Sequence, residues 1–168
     1  MKVLRAVVIV ALLGIAAYVG YRTIAPPASS GTAGSVAVYY VKPEGEALAK
    51  WTVSLGSKMT DVSSVLLYAT AQVLAGPPAE TSAIRFPAGT VARSVRVSGA
   101  TATVDLGGNV AAPSDGSLGE SGEFKALVWT LTGLHGIDAV QVLVDGAKVS
   151  TLPGGHFELD EPLTRKSF

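Results

Sequence analysis

The segment Thr101-Ala-Thr-Val-Asp-Leu106 alternates polar and apolar side chains without interruption. Successive side chains of an extended strand point to opposite faces, so the even-numbered residues share one face and the odd-numbered residues the other. This pattern is typical of a strand with one face in a hydrophobic core and the other towards solvent. Residues 91–97 form a second strand candidate, which Ser98 and Gly99 connect to the first. We therefore predict a pair of strands around residue 99, with Asp105 on the polar face.

An amphipathic helix is predicted upstream of these strands. Thr60 can cap its N-terminus, and Asp61 complements the helix dipole in the first turn. Gly76, Pro77 and Pro78 end it, since glycine favours the C-terminal cap and proline cannot continue a helix. The apolar positions recur at helical spacing and form one stripe, which consists of Val62, Val65, Leu66, Ala69 and Val73.

A second amphipathic helix is predicted downstream of the strands. Ser117 and Glu120 have the spacing of a capping box, and Ser121 is the alternative cap. Gly133 and Gly136 end this helix. Its apolar stripe consists of Phe124, Leu127, Val128, Leu131 and Leu134.

Four further strand candidates lie outside these elements. Residues 36–41 are mostly β-branched and aromatic, and residues 48–55 follow with alternating apolar positions, so we expect the two to pair antiparallel. Residues 137–144 and 148–152 flank Asp145-Gly146, a dipeptide typical of a two-residue hairpin turn. The resulting order of elements is β-β-α-β-β-α-β-β.

This order predicts an α+β fold. Strands connected as hairpins favour a mostly antiparallel sheet, and two amphipathic helices can bury their apolar stripes on one face of that sheet. A single membrane-anchor helix is predicted to precede this domain.

The N-terminal segment is the basis for that anchor. Lys2 and Arg5 precede an apolar stretch at residues 6–21, and Arg22 closes it. A basic start orients such a segment with its N-terminus in the cytoplasm. The cleavage site that should follow a signal peptide is poor, so an uncleaved signal anchor is favoured over a cleaved peptide.

We accordingly divide the chain into a signal anchor at residues 1–24, a flexible linker at residues 25–35 and a folded domain at residues 36–168. The linker contains only Pro, Ser, Gly, Thr and Ala, and it has nothing to bury. We expect a single-pass protein of the cell membrane whose C-terminal domain is extracytoplasmic. The alternative is secretion after cleavage of the signal peptide.

Composition excludes several classes of protein. Of the 168 residues, 48% are hydrophobic and 15% are charged, which excludes an intrinsically disordered chain. Basic and acidic residues balance at 13 each, and no nucleic-acid partner is expected because such a partner requires a basic face. The absence of cysteine excludes disulfides, thiolate nucleophiles and cysteine-ligated metal sites.

Residues that could carry catalysis are few. The two histidines are His135, in a turn after the second helix, and His156, which follows two glycines and precedes several acidic residues. A histidine beside carboxylates can bind a metal, but we favour a solvated or structural role for both. We therefore predict no enzymatic activity, no catalytic residues, no metal and no cofactor.

Aromatic residues offer a different kind of site. A platform for a sugar or a peptide could be built from Tyr39, Tyr40, Trp51 and Trp129. We favour packing in or beside the core for these side chains over stacking on a ligand.

Short motifs occur in a recognisable order along residues 36–165. They are Val38-Tyr39-Tyr40, Leu74-Ala75-Gly76-Pro77, Phe86-Pro87-Ala88-Gly89-Thr90, Ala102-Thr103-Val104-Asp105-Leu106, Val128-Trp129-Thr130-Leu131-Thr132, residues 140–146 and Gly154-Gly155-His156. In these motifs the chain resembles the GerMN domain family, which takes its name from sporulation and spore-germination proteins. It departs from many relatives in having no lipobox cysteine, and from some in having one such domain instead of two.

The resemblance implies an extracytoplasmic α+β domain without established enzymatic activity, from a family whose members are associated with envelope assemblies. No catalytic residues are carried over from the family. If the motif turns are functional, they present an interaction surface. This candidate surface consists of Gly76, Pro77, Pro87, Gly89, Thr90, Asp105, Asp145, Gly146, Gly155 and His156.

These expectations combine into one predicted function. We expect a membrane-anchored interaction or assembly module of the bacterial cell envelope, whose partner is an envelope protein or another copy of the chain. The alternative is a module that binds peptidoglycan, another glycan or a peptide.

Overall fold

The computed structural model of the chain describes residues 34–56, 59, 61–113 and 116–168, and its first element is a β-hairpin. Strand β1 (Ser35–Val41) pairs antiparallel with β2 (Leu48–Ser54), as predicted. In this register Val38 lies opposite Trp51. Alternate side chains of β1 are buried, so this hairpin covers one side of the core.

A second sheet contains three strands with β4 in the centre. Its members are β3 (Thr90–Ser98), β4 (Thr101–Gly108) and β5 (Ala139–Val144). β3 and β4 pair antiparallel around residues 99 and 100. The even-numbered side chains of β4 from 102 to 106 are fully buried, which confirms the strand predicted from their alternation.

Two α-helices complete the fold at the predicted places. They are α1 (Val62–Ala75) and α2 (Gly116–Leu131), and a short 3-10 helix (Arg165–Ser167) follows near the C-terminus. The N-cap of α1 is Asp61, whose carboxylate accepts a hydrogen bond of 2.8 Å from the Ser64 backbone N–H. The prediction that Thr60 is the cap is therefore wrong, although Thr60 itself lies outside the described residues.

The pairing of β4 with β5 is parallel. The predicted antiparallel pairing holds for β1 with β2 and for β3 with β4, but the parallel pairing of β5 corrects the predicted hairpin connection of this strand. The cause is the helix between the two strands. A chain that leaves the carboxyl end of β4 and crosses back through α2 re-enters the sheet at the end where β4 began, and the next strand then runs in the same direction.

The strands divide between two sheets, whereas a single sheet was predicted. The edge of β1 that could have joined a third strand is bonded to other elements. Thr130 of α2 accepts a hydrogen bond of 2.9 Å from the Tyr39 backbone N–H, and the Val41 carbonyl accepts one of 2.8 Å from Ile84. A helix and a loop thus occupy the place of a neighbouring strand.

The predicted strand at residues 148–152 does not form. Asp145 and Gly146 make the expected tight turn, but pairing stops after the bridge between Val144 and Ala147. The outer edge of β5 is occupied by Leu163, which exchanges two backbone hydrogen bonds of 2.8 Å with Val140. The C-terminal segment therefore displaces the second arm of the predicted hairpin.

The α+β class with two helices is confirmed. α1 contacts β1, β3 and α2, and α2 contacts β1 and β5. The core draws one or more fully buried side chains from each of five elements, namely Val38, Leu66, Val104, Phe124 and Val142. Two members of the predicted apolar stripe of α1 are not in this core, because Val62 is 54% exposed and Val65 is only half-buried.

Within the described residues, none of the helices combines the length and the hydrophobicity that a membrane-spanning segment requires. The predicted signal anchor at residues 1–24 lies outside those residues, so it stays a prediction.

Candidate functional site

Several residues of the predicted interaction surface lie at one end of the three-stranded sheet. Thr90 at the start of β3 pairs with Gly108 at the end of β4, and Leu106 pairs with Val144 at the end of β5. The turns that begin β3 and follow β5 therefore share this end with the carboxyl end of β4. Gly89, Thr90, Asp105, Asp145 and Gly146 belong to this group.

The turn that leads into β3 is held by polar contacts. The Thr90 hydroxyl donates a hydrogen bond of 2.7 Å to the Pro87 carbonyl, and the Asn109 side-chain amide donates one of 2.7 Å to Ala88. Gly89 has a φ of 88°, which side-chain-bearing residues rarely adopt. Asn109, which the sequence reasoning missed, fixes this turn to the loop after β4.

The turn that follows β5 is held by a carboxylate from the neighbouring strand. Asp105 Oδ1 accepts a hydrogen bond of 2.8 Å from the Gly146 N–H. Asp145 forms an ion pair of 2.5 Å with Arg93, and both side chains are more than half exposed. Surface pairs of this kind contribute little to stability.

An open apolar groove runs between α1 and the start of β3. Its volume is about 630 Å³, and it is lined by Leu67, Ala71, Leu74 and Ala75 of α1 and by residues 88–92. Leu67 is 38% exposed and Val91 is 48% exposed. The predicted surface residues Gly89 and Thr90 line this groove, which we call the α1–β3 groove.

The predicted residues Gly76 and Pro77 follow the last α1 residues that line this groove. Gly76 caps α1 with a φ of 78°, and its N–H donates a hydrogen bond of 3.1 Å to the Val73 carbonyl. The Arg85 side chain lies against Gly76, so a side chain at this position would collide with it. Arg85 also donates hydrogen bonds of 3.3 Å to the carbonyls of Pro78 and Thr81, which ties the loop to the end of the helix.

The remaining predicted residues, Gly155 and His156, lie against the N-terminal part of α2. Glu120 Oε2 accepts hydrogen bonds from the backbone N–H groups of His156, at 2.8 Å, and Phe157, at 3.3 Å. Glu120 is 3% exposed, whereas the His156 side chain is exposed. The capping-box role predicted for Glu120 is therefore wrong, because its carboxylate binds a distant loop.

A side chain at Gly155 would collide with the Glu120 carboxylate. Glycine at this position therefore permits the close approach of loop and helix. A signal for Glu120 was present in the sequence, since it lies four residues before Phe124 and so shares the apolar face of the helix. An acidic residue on the apolar face of a helix predicts that its carboxylate has a hydrogen-bond partner in the interior.

His156 also lines a second cleft, of about 530 Å³. Its lining includes Glu158, Asp160, Glu161 and Ser167. Among the residues that the structure describes, no group of three or more His, Cys, Asp or Glu side chains is arranged to hold a metal ion.

The aromatic residues pack against one another. Tyr40 and Trp51 make an edge-to-face contact with ring centres 5.9 Å apart. Phe168 stacks on Phe157 at 5.1 Å and contacts Trp129 at 5.7 Å. Packing was the favoured interpretation for all four candidate platform residues, and these contacts support it for Tyr40, Trp51 and Trp129.

A comparison with known protein families shows the family to which the chain belongs. The Germane model, described as sporulation and spore germination, matches residues 37–150. The chain belongs to this family. The predicted resemblance to GerMN domains is thereby confirmed, and the matched range contains the α1–β3 groove and the turn after β5.

Solved structures of Germane-type domains share this fold. The first GerMN domain of the Bacillus subtilis sporulation protein GerM is 20% identical, with a TM-score of 0.63, and the match covers 79% of this chain and 98% of that one. The tandem GerMN domains of the same protein give 21% identity and a TM-score of 0.64 over 79% of this chain. This chain spans about half of that tandem structure, 46%.

A Clostridium perfringens protein assigned provisionally as a lipoprotein has the same fold at 18% identity, with a TM-score of 0.56 and coverage of 79% of this chain and 88% of that one. No curated protein matches the chain. At identities of 18–21%, the similarity to these structures shows a shared fold alone.

Proposed function

We propose that this Germane-family protein is a membrane-anchored, extracytoplasmic interaction module of the bacterial cell envelope that acts by binding and not by catalysis. The observation that carries the proposal is the α1–β3 groove, where Leu67 and Val91 expose apolar surface beside two family-motif turns. Exposed apolar surface in a concave site favours contact with another protein. Sequence features outside the described residues, the basic start and the apolar stretch at residues 6–21, support the anchor.

Site-specific crosslinking in intact cells tests the binding role. A photoreactive residue is placed at Leu67 or at Val91 in the full-length chain. Leu118 provides the matched control, because it is 52% exposed but lies on α2 and does not line the groove. An antibody against the chain detects the products, since an added C-terminal tag would disturb the packed Phe168.

A discrete adduct from Leu67 and Val91 that is absent from Leu118 supports the proposal. The mass of the adduct distinguishes an envelope protein, which is the partner that we favour, from a second copy of the chain. Equal adducts from all three positions, or none from the two groove positions, contradict the proposal.

Anchoring and orientation need a separate measurement. The intact mass of the mature protein distinguishes a chain that begins at Met1 from one that has been cleaved. The extracytoplasmic location is supported if external protease degrades the folded domain once the cell wall has been removed, while the cytoplasmic membrane is still intact. A mature protein that lacks residues 1–24 supports the secreted alternative.

The polar cleft beside His156 favours a second candidate function, the binding of a cell-wall glycan or peptide. Its carboxylates, from Glu158, Asp160 and Glu161, are acceptors suited to hydroxyl and amide groups. Sedimentation of the full-length protein with purified cell wall tests this candidate. Retention that is lost in Glu161→Gln supports it, and the absence of retention contradicts it.

A further inference from the structure

A small cavity lies between the N-terminal part of α2 and the loop that follows β5. Its volume is about 120 Å³, and its lining residues are Ala111, Ala112, Pro113, Gly116, Glu120 and residues 152–156. At roughly 30 Å³ for each water molecule, such a volume accommodates about four waters or the end of one side chain. Pro113, Gly154 and His156 are exposed, so the cavity opens to solvent.

The position of this cavity in the fold is one where ligands commonly bind. β4 and β5 are parallel and are connected through α2. The lining comes from the segment after β4, from the segment after β5 and from the start of the connecting helix. In open sheets with helical crossovers, ligands bind outside the carboxyl ends of parallel strands.

The chemistry of the cavity is set by one carboxylate. Glu120 is 3% exposed, and its Oε2 accepts from the His156 and Phe157 amides. Its Oε1 has no hydrogen-bond partner among the described residues. No described lysine or arginine forms an ion pair with Glu120. A buried carboxylate oxygen without a partner is costly, and a ligand that brings a charged donor to Oε1 removes that cost.

The sign of the ligand charge follows from the same residue. An ionised glutamate is an acceptor only, so a ligand that bonds to Oε1 must bring a donor. Helix N-termini attract anions, but an anion here would meet the Glu120 carboxylate. The side chains of Ala111, Ala112 and Leu152 provide apolar walls beside it.

The geometry points to an alkylammonium group as the ligand of this cavity, with its nitrogen bonded to Glu120 Oε1 and its methylene groups against Ala111, Ala112 and Leu152. Such a group is supplied by the lysine side chain of a peptide or by a free alkylamine. The inference does not depend on the proposed interaction role of the α1–β3 groove.

Binding is tested by titrating the ¹⁵N-labelled full-length chain, in a non-ionic detergent, with butylammonium chloride near neutral pH. We expect saturable shifts of the His156 and Phe157 amide resonances, because both amides donate to the carboxylate that binds the nitrogen. Butanol is the neutral control probe and should leave these resonances in place. A parallel titration with Nα-acetyl-lysine amide distinguishes a peptide lysine from a free alkylamine, because the probe that binds more tightly identifies the source of the ligand.

Three variants complete the test. Glu120→Gln removes the charge and should weaken binding at least about tenfold, because charge-assisted hydrogen bonds are the strong ones. Ala112→Leu keeps the carboxylate but fills the cavity, and should abolish binding. Glu80→Gln removes an exposed carboxylate that does not line the cavity, so it is the matched control and should bind as the parent chain does.

The inference is overturned if butylammonium gives no saturable shift, or if butanol gives the same shift. It is equally overturned if Ala112→Leu binds as tightly as the parent chain. Should Glu120→Gln fail to fold, Ala112→Leu alone decides the question, because it leaves the contact between Glu120 and the loop intact.

Discussion

Glu120 Oε2 lies 2.8 Å from the backbone nitrogen of His156 and accepts its hydrogen bond. Glu120 belongs to α2 and His156 to the loop that follows β5, so this one contact joins elements 36 residues apart in the chain. The first prediction concerns its removal.

Glu120→Ala should lower the free energy of unfolding by about 1–3 kcal/mol, because the amides of His156 and Phe157 lose a buried acceptor. Urea unfolding followed by circular dichroism measures the change. Glu158→Ala is the control, since Glu158 is exposed, and it should change stability by less than about 0.5 kcal/mol. Equal effects of the two substitutions would show that the contact does not stabilise the loop.

Gly155→Ala should be destabilising by about 1–3 kcal/mol, because the added methyl group collides with the Glu120 carboxylate. The cost should fall when Glu120 is also replaced by alanine, since the colliding atoms are then absent. Gly56→Ala is the control, because nothing lies within 4 Å of a methyl group there. Additive effects of the Gly155 and Glu120 substitutions would contradict the close approach.

The N-cap of α1 should make stability depend on acid pH. Hydrogen bonds from the Ser64 side chain and backbone N–H lower the pKa of Asp61 from its ordinary value. A lowered folded-state pKa gives stability that is present above the unfolded value of about 3.9 and is lost as the pH falls through the folded value.

Asp61→Asn keeps a capping acceptor but does not titrate. The stability difference between the parent chain and this variant should therefore shrink on acidification. Parallel urea unfolding at neutral pH and at about pH 3, below the unfolded pKa, measures it. A difference that is independent of pH would count against Asp61 as the titrating cap.

Tyr40 should make stability depend on alkaline pH with the opposite sign. Burial raises the pKa of Tyr40, and the charge of Arg85 opposes the shift only in part. The stability that this raised pKa contributes is present below the unfolded-state pKa of about 10, and it is lost as the pH rises through the raised folded-state pKa. Tyr40→Phe should remove that part of the alkaline decline.

The same substitution should cost about 1 kcal/mol near neutral pH, because the Tyr40 hydroxyl donates a hydrogen bond of 2.9 Å to the Gln72 carbonyl. Tyr39→Phe serves as the control for loss of a phenol from the adjacent, half-buried position. Identical alkaline unfolding profiles of the parent chain and Tyr40→Phe would disprove the assignment.

Phe168→Ala should destabilise the domain by about 1–3 kcal/mol, because two aromatic contacts are lost with the ring. Those contacts are the stack on Phe157 and the edge-to-face contact with Trp129. Thermal unfolding measures the loss, and the fluorescence of Trp129 reports the change in its surroundings. Phe168→Leu, which keeps apolar volume, should lose less. Unchanged fluorescence in Phe168→Ala would contradict the contact with Trp129.

Local pattern was sufficient for most of the elements. The alternation in residues 101–106 and the helical spacing from Leu66 to Val73 predict which side chains are buried together, because periods of 2 and 3.6 follow from backbone geometry alone. Gly76 and Pro77 end α1 for equally local reasons. The family motifs likewise lie in the sequence, and they were enough to identify the family.

The candidate sites could be predicted only in part. The turns at Pro87–Thr90 and Asp145-Gly146 were found because turn residues have local conformational signatures. The contacts of Asn109 and Glu120, which hold those turns and loops in place, were missed because each side chain bonds to backbone atoms remote in sequence, 21 and 36 residues away. The α1–β3 groove exists only once α1 has packed beside β3.

The sequence by itself determined the class of the fold, the approximate positions of its helices and most strands, and its family. Only the tertiary structure decided that β5 pairs in parallel with β4, that Leu163 and not residues 148–152 occupies the outer edge of β5, and that Glu120 turns to the loop at His156. The reason is physical. Periodicity and turn chemistry act between neighbours along the chain, whereas the choice of a hydrogen-bond partner depends on which groups the packed core brings together.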